Sequence, residues 1–229
     1  MSDELDAALG QDLSEALDAY GLVKYSRFSI RVRGGVAHLH GQVSNRTERV
    51  RVRRVAANVR GILAIWDLLA VDGQELDPTL DLGCGAVKQF DGNIGIDRIQ
   101  AKGVDVIANL EDGLPIASES IGRVFAVHVL EHIVDLRGLL WETHRILKPG
   151  GLLHVLVPNW RFVNSVADPT HVRFFDLQTF KAFCRPPPGW PAFRPLLATV
   201  SPDTVYADLE PVKAGEELAA SRDLVRFFH

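Results

Sequence analysis

The chain has 229 residues, 47% hydrophobic and 24% charged, which is enough apolar material for one large domain or two small ones and too much for a disordered chain. A formal net charge of −4 supplies no overall field toward nucleic acid or an anionic membrane, so no nucleic-acid partner is expected. The opening MSDELDAALG is acidic, no apolar run approaches the roughly 18 residues of a membrane span, and Cys84 and Cys184 are too few for a disulfide framework or thiolate metal cage. A reduced, cytoplasmic protein is the expected setting.

Leu5, Leu9, Leu13, Ala16 and Leu17 recur at helical spacing, and Gly21 ends the pattern. Ser29–Arg33 and Val36–His40 alternate with period two about Gly34-Gly35. That predicts a hairpin, because glycine accepts the φ > 0 turn positions. Arg46–Arg60 returns to helical spacing, with Val52, Val55, Ala56 and Val59 on one stripe and Gly61 as the predicted C-cap. Ile62–Leu69 is a predicted third strand. Helix, strand, strand, helix, strand makes a small α+β domain over residues 1–72. Residues 73–77 form the predicted linker, since Pro78 disfavours helix at Asp77. The second domain is residues 78–229.

Gly35-Val36-Ala37-His38-Leu39-His40-Gly41-Gln42-Val43 and Val59-Arg60-Gly61-Ile62 in this order resemble the BON domain. BON domains belong mostly to bacterial envelope proteins and are associated with phospholipid or ligand binding. The resemblance implies peripheral lipid or ligand contact through residues 1–72. Residues 1–20 carry Asp3, Glu4, Asp6, Asp12, Glu15 and Asp18 and no base, whereas Arg46, Arg49, Arg51, Arg53, Arg54 and Arg60 crowd the second helix. A basic face suits phosphate, lipid headgroups or RNA. A solvated face, partly paired with the acidic first helix, is the simpler expectation in an acidic chain.

The second domain opens with a strand, Thr79–Leu82, running into Gly83-Cys84-Gly85. Glycines there let a ligand approach backbone amides. Asn93–Asp97 is a second strand ending in an acid suited to ribose hydroxyls. Val104–Ala108 and Arg123–Val127 are the third and fourth strands. A helix is predicted over Leu136–Leu147, stopped by Lys148-Pro149-Gly150-Gly151, and a fifth strand over Leu152–Val157. This alternation argues for a parallel sheet. The proline-rich stretch from Cys184 to Pro191 reads as a stiff connector.

Asp81-Leu82-Gly83-Cys84-Gly85, Gly95-Ile96-Asp97, His128-Val129-Leu130-Glu131-His132 and Arg145-Ile146-Leu147-Lys148-Pro149-Gly150-Gly151 resemble class I S-adenosylmethionine-dependent methyltransferases, more narrowly the type 11 group. The resemblance implies an α/β, Rossmann-like, seven-stranded sheet with an antiparallel final strand. Leu196–Val200 and Leu224–Phe228 are then the last two strands. Too few residues separate Gly85 from Gly95 for a full helix A, so that helix must be short or missing.

The resemblance also implies roles. Asp81, Gly83, Cys84 and Gly85 pack on the methionine and ribose of S-adenosylmethionine. Asp97 binds the ribose, Asn109 and Leu110 sit beside the adenine, His128 and Leu130 line the cofactor, and Lys88 closes the trimmed loop. A hydroxyl or ammonium acceptor must lose a proton, and His132 and His171 are the candidate bases. Asp168 is placed to orient His171, with Trp160 and Arg173 as substrate walls. His128-Val129-Leu130-Glu131-His132 also fits His-x-x-Glu-His, with both histidines on one helix face. Zinc is set aside, because the pattern sits in a run of methyltransferase motifs that use no metal there. The expected acceptor is a small molecule, glycan or natural product, free or carrier-linked. A peptide or protein acceptor, or a non-catalytic sensor of S-adenosylmethionine joined to a lipid-binding BON module, is the alternative. Position 88 is Lys rather than the third glycine of a nicotinamide fingerprint, which disfavours a dehydrogenase.

Overall fold

The protein, in a computed structural model, is described over residues 3–22 and 27–228. It divides into two compact units, Met1–Leu76 and Asp77–His229.

The first unit runs α1 (Asp3–Ala19), β1 (Arg27–Arg33), β2 (Val36–Val43), α2 (Arg46–Ala57) and β3 (Ala64–Val71). β1 and β2 pair antiparallel with Arg33 opposite Val36, and β3 adds parallel to β2. Gly34 and Gly35 have φ of 58° and 76°. Both turn amides donate to the Asp6 carboxylate, at 2.7 and 3.1 Å, so α1 is tied to the hairpin. Leu13 and Leu17 of α1, Leu39 and Leu69 of the sheet and Val52 and Ala56 of α2 are fully buried in one cluster. The predicted stripes therefore face a common core.

Two readings of this unit change. α2 ends at Ala57, and its C-cap is Asn58 in a right-handed conformation. Gly61 lies beyond the cap with φ 98°, where a Cβ would come 2.7 Å from Leu9 Cδ2. Its glycine serves the close approach of the return loop to α1. The arginines of α2 also find a different partner. Arg49 Nε and Arg53 Nη1 lie 2.8 and 2.9 Å from the two oxygens of Asp67, a buried carboxylate on β3. The pairing is to the sheet rather than to acids of α1.

The second unit contains β4 (Thr79–Leu82), β5 (Ile94–Asp97), β6 (Val106–Ile107), β7 (Ile121–Val127), α3 (Leu136–Ile146), β8 (Leu147–Pro158), α4 (Val163–Ala167), α5 (Leu177–Cys184), β9 (Phe193–Val200), β10 (Thr204–Pro211) and α6 (Ser221–Leu224). The sheet order is β6-β5-β4-β7-β8-β10-β9. β10 is antiparallel to both neighbours, and the first five strands in that order are parallel. The chain steps outward from β4 to β6, then returns to place β7 on the other side of β4. That reversal creates the crevice in which open α/β sheets bind ligands.

No helix forms between β4 and β5, as the short spacing implied, and the described residues from β5 to β7 contain none either. The third strand is cut to Val106–Ile107. β8 begins at Leu147, where the helical stripe was expected to end. Leu224–Phe228 is not a strand: α6 and a turn occupy it, burying Leu224 and Phe228 four residues apart. The missing strand is β10, in which Val205, Ala207 and Leu209 are fully buried in the main core. Among the described residues no helix is long and apolar enough to cross a membrane.

Candidate functional site

A cavity of about 500 Å³ opens at the C-terminal ends of the parallel strands. Gly83 after β4, Asp97 at the end of β5, Asn109 and Leu110 after β6, and His128 and His132 after β7 all line it. Gly83 has φ 57°, and a Cβ there would meet Val129 Cγ2 at 2.7 Å. Glycine is thus required both by the turn and by the approach of the segment after β7. Asp97 accepts the amide of Gly85 on one oxygen and that of Ile99 on the other, each at 3.0 Å. Those two bonds fix the carboxylate while leaving each oxygen a further lone pair.

The loop that replaces helix A is held from behind. Asp81 is 3% exposed, and its Oδ2 accepts from the Gln89 amide at 2.8 Å and the Asn93 side-chain amide at 2.9 Å. Burial pushes its carboxyl up to about 6, against the lowering effect of Asn93, Gln89 and Lys88. Lys88 bonds the Asn93 carbonyl at 2.8 Å and Asp105 at 2.7 Å. Cys84 Sγ faces the Gly103 carbonyl at 3.3 Å. Asp81, Lys88 and Cys84 therefore support the loop from inside, and none of them is among the residues that line this cavity. Leu130 is 1% exposed and belongs to the core.

The substrate-side expectations also shift. Arg173 Nε donates to the Ile133 carbonyl at 2.9 Å, and its Nη2 to Val134, so the guanidinium ties down the segment after β7. Trp160 stands half-exposed, with the Arg161 guanidinium 5.3 Å from its ring centroid. Neither lines the cavity. Asp168 closes a turn by accepting from the Thr170 hydroxyl at 2.6 Å and its amide at 2.8 Å. Those two bonds hold its carboxyl below the usual range.

The Val172 amide donates to the Glu131 carbonyl at 2.9 Å, joining the segment after α4 to the segment after β7. This brings the His132 and His171 rings to 4.8 Å between centroids. Glu131, His132 and His171 offer ligand atoms all within 4.8 Å of one another. The expected helix bearing His128 and His132 is absent. Leu130–His132 is a single 3-10 turn, and His128 precedes it at φ 54°. Its Nδ1 lies 3.3 Å from Glu131 Oε1. Glu131, Thr170, Arg98, Ile99 and Glu111 were given no site role from the sequence. Glu131 at least had a signal, its place inside His-x-x-Glu-His.

A seven-stranded sheet with one antiparallel strand next to its edge, and a cavity at its switch point, defines the class I methyltransferase architecture. Residues 92–155 match the family model for a methyltransferase domain and residues 5–73 that for the BON domain. The chain thus carries a BON-domain match in its first unit and a methyltransferase-domain match in its second. It is similar to an uncharacterised 37.1 kDa protein from a transposon of Streptomyces fradiae, 27% identical over 139 residues. That match covers 51% of this chain and only 38% of the relative. An S-adenosylmethionine-dependent methyltransferase from Mesorhizobium loti is 14% identical over 58% of this chain and 90% of its own, with a TM-score of 0.44. Geranyl diphosphate C-methyltransferase from Streptomyces coelicolor is 13% identical over 61% of this chain and 74% of its own, with a TM-score of 0.44.

Proposed function

We propose that the protein transfers a methyl group from S-adenosylmethionine to a heteroatom of a small-molecule or glycan-type acceptor. The observation that carries this reading is the cavity at the switch point, with Asp97 fixed at its edge and imidazole nitrogen at its rim. The residues present fit the cofactor. Asp97 has lone pairs left for ribose hydroxyls, Asn109 and Leu110 line the same cavity and would flank the adenine, and Gly83 gives the backbone close access. When bound, the cofactor supplies a methyl group on sulfonium sulfur, already activated for in-line displacement.

The chain's own part is to hold the acceptor aligned and to take its proton. The Thr170 hydroxyl has one hydrogen, and Asp168 accepts it at 2.6 Å. His132 Nδ1, at 3.0 Å from that hydroxyl and 3.2 Å from the Thr170 carbonyl, therefore carries its own hydrogen and donates. His171 Nδ1 donates to the Ser165 carbonyl at 2.8 Å. With Nδ1 carrying the hydrogen, the neutral form of each ring has its lone pair on Nε2, where a base requires it.

Calorimetric titration of the full chain with S-adenosylmethionine or its demethylated product should show one site. Asp97→Ala should weaken binding about 10- to 100-fold, the loss of hydrogen bonds to a charged group. No binding by the unaltered chain would overturn the reading.

A further inference from the structure

We propose that Glu131, His132 and His171 form a site for one divalent transition-metal ion of the zinc class, at the rim of the cofactor cavity. The first observation is Glu131. Its side chain is 1% exposed, Oε1 reaches only His128, and Oε2 has no hydrogen-bond partner. A buried carboxylate oxygen left bare is costly, and native folds leave few of them. Protonating the group does not satisfy it, since Oε2 would still face no acceptor or donor. A cation would.

The second observation is the state of the two imidazoles. Each spends its Nδ1 hydrogen on the backbone, His132 on Thr170 and His171 on Ser165. That leaves both Nε2 atoms as lone-pair donors with fixed ring orientation, the arrangement metal-ligating histidines show. One general base needs one such nitrogen. Glu131, His132 and His171 each place one ligand atom within 4.8 Å of the others, and Nε2 is the ring nitrogen left free for an ion. Asp168 Oδ2, 3.8 Å from His171 Nε2, adds negative charge nearby. Two neutral imidazoles and a carboxylate suit zinc rather than magnesium, which prefers an all-oxygen shell. Zinc–ligand bonds of about 2.0–2.2 Å require the donors to close in from the 4.8 Å within which they lie.

Three protein ligands leave a tetrahedral ion one open position. His132 and Thr170 line the cavity, so that position faces the acceptor's space. The acceptor role rests on the methyltransferase reading, whereas ion binding does not. A hydroxyl oxygen coordinated there would lose its proton more readily, as metal-bound water does. With both Nε2 atoms on the ion, the ion would take the place of an imidazole base: the proton would pass to solvent, and the oxygen would form its bond to the methyl carbon as the carbon–sulfur bond breaks.

The test is titration of the tag-free full chain with cobalt(II), read by visible absorption, and with zinc by equilibrium dialysis. One ion per chain should bind, with the intense visible bands of a low-coordinate cobalt site. Glu131→Gln, His132→Asn and His171→Asn should each weaken binding at least tenfold, and His144→Asn should not. Should Glu131→Gln fail to fold, the exposed His132→Asn carries the same comparison. Absence of stoichiometric binding, or variants binding as tightly as the parent, overturns the site. Binding of the demethylated cofactor, measured alongside, separates the two readings. Its presence without metal binding sinks this inference alone. Metal binding without it sinks the methyltransferase reading and leaves the ion site standing.

Discussion

Asp81 shows how a motif residue can be committed to the loop that carries it. It sits at the end of β4 in the position the family resemblance assigns to cofactor contact, yet its oxygen is spent on Gln89 and Asn93. Desolvation raises its pKa from 3.8 to about 6. The folded state therefore favours the neutral carboxyl. Its stabilisation is complete below about pH 4 and is lost as pH rises through about 6. Asp81→Asn removes that titration. Denaturant unfolding of the two proteins across pH 4 to 7.5 should show the variant gaining on the parent by about 3 kcal/mol, the free energy of moving a carboxyl from its ordinary pKa to one about 100-fold less acidic. Parallel profiles would mean that Asp81 titrates normally. At this scale the sequence displayed residue types and order but not who bonds whom. Lys88 and Arg173 could be read as ligand-facing because nothing in the chain announces Asp105 or the Ile133 carbonyl as their partners. Glu131 escaped because the two histidines flanking it drew the motif reading to themselves.

Elements were legible where one periodicity ruled. α1, the hairpin, α2 and the strands β4, β5 and β7 follow directly from apolar spacing and glycine turns. The C-terminal tail was not legible, because Leu224-Val225-Arg226-Phe227-Phe228 is apolar enough for a strand while its buried pair, Leu224 and Phe228, keeps helical spacing. β10 carries Tyr206 and Asp208 between its core residues, and that polar interruption hid a strand buried on both faces. β5 holds a stricter requirement. A Cβ on Gly95 would lie 2.0 Å from the Gly103 carbonyl and 2.7 Å from Cys84 Sγ. Backbone and glycine turn cross here with no room, although φ is ordinary. Gly95→Ala should therefore destabilise the second unit by about 3 kcal/mol, at the upper end of overpacking costs. It should also weaken cofactor binding, since Asp97 is two residues away. A thermal melt and a titration with the demethylated cofactor measure both effects, and an unchanged melting point would show that the crossing relaxes freely.

For the whole molecule, charge decides what the BON unit can do on its own account. The resemblance to envelope BON domains suggests lipid contact, and six arginines on one short segment invite it. Arg49 and Arg53 are committed to Asp67, whose side chain is 0% exposed. Breaking such a buried arrangement to free two cations would cost about 3–5 kcal/mol. Arg46, Arg51, Arg54 and Arg60 remain exposed. At about 1 kcal/mol per cation near an anionic surface they supply at most about 4 kcal/mol, a millimolar association. The acidic side chains of α1 and the net charge of −4 work against even that. With a Debye length of about 8 Å at physiological ionic strength, the unfavourable overall charge is screened but so is the arginine attraction. Flotation of the full chain with anionic vesicles should leave it in the unbound fraction at physiological salt, with weak binding only at low salt. Substituting the four exposed arginines by glutamine should abolish that weak binding and leave affinity for the demethylated cofactor unchanged, because every residue lining the cavity lies between Gly83 and Thr170. Firm flotation at physiological salt would show that the BON unit binds lipid by contacts other than these charges.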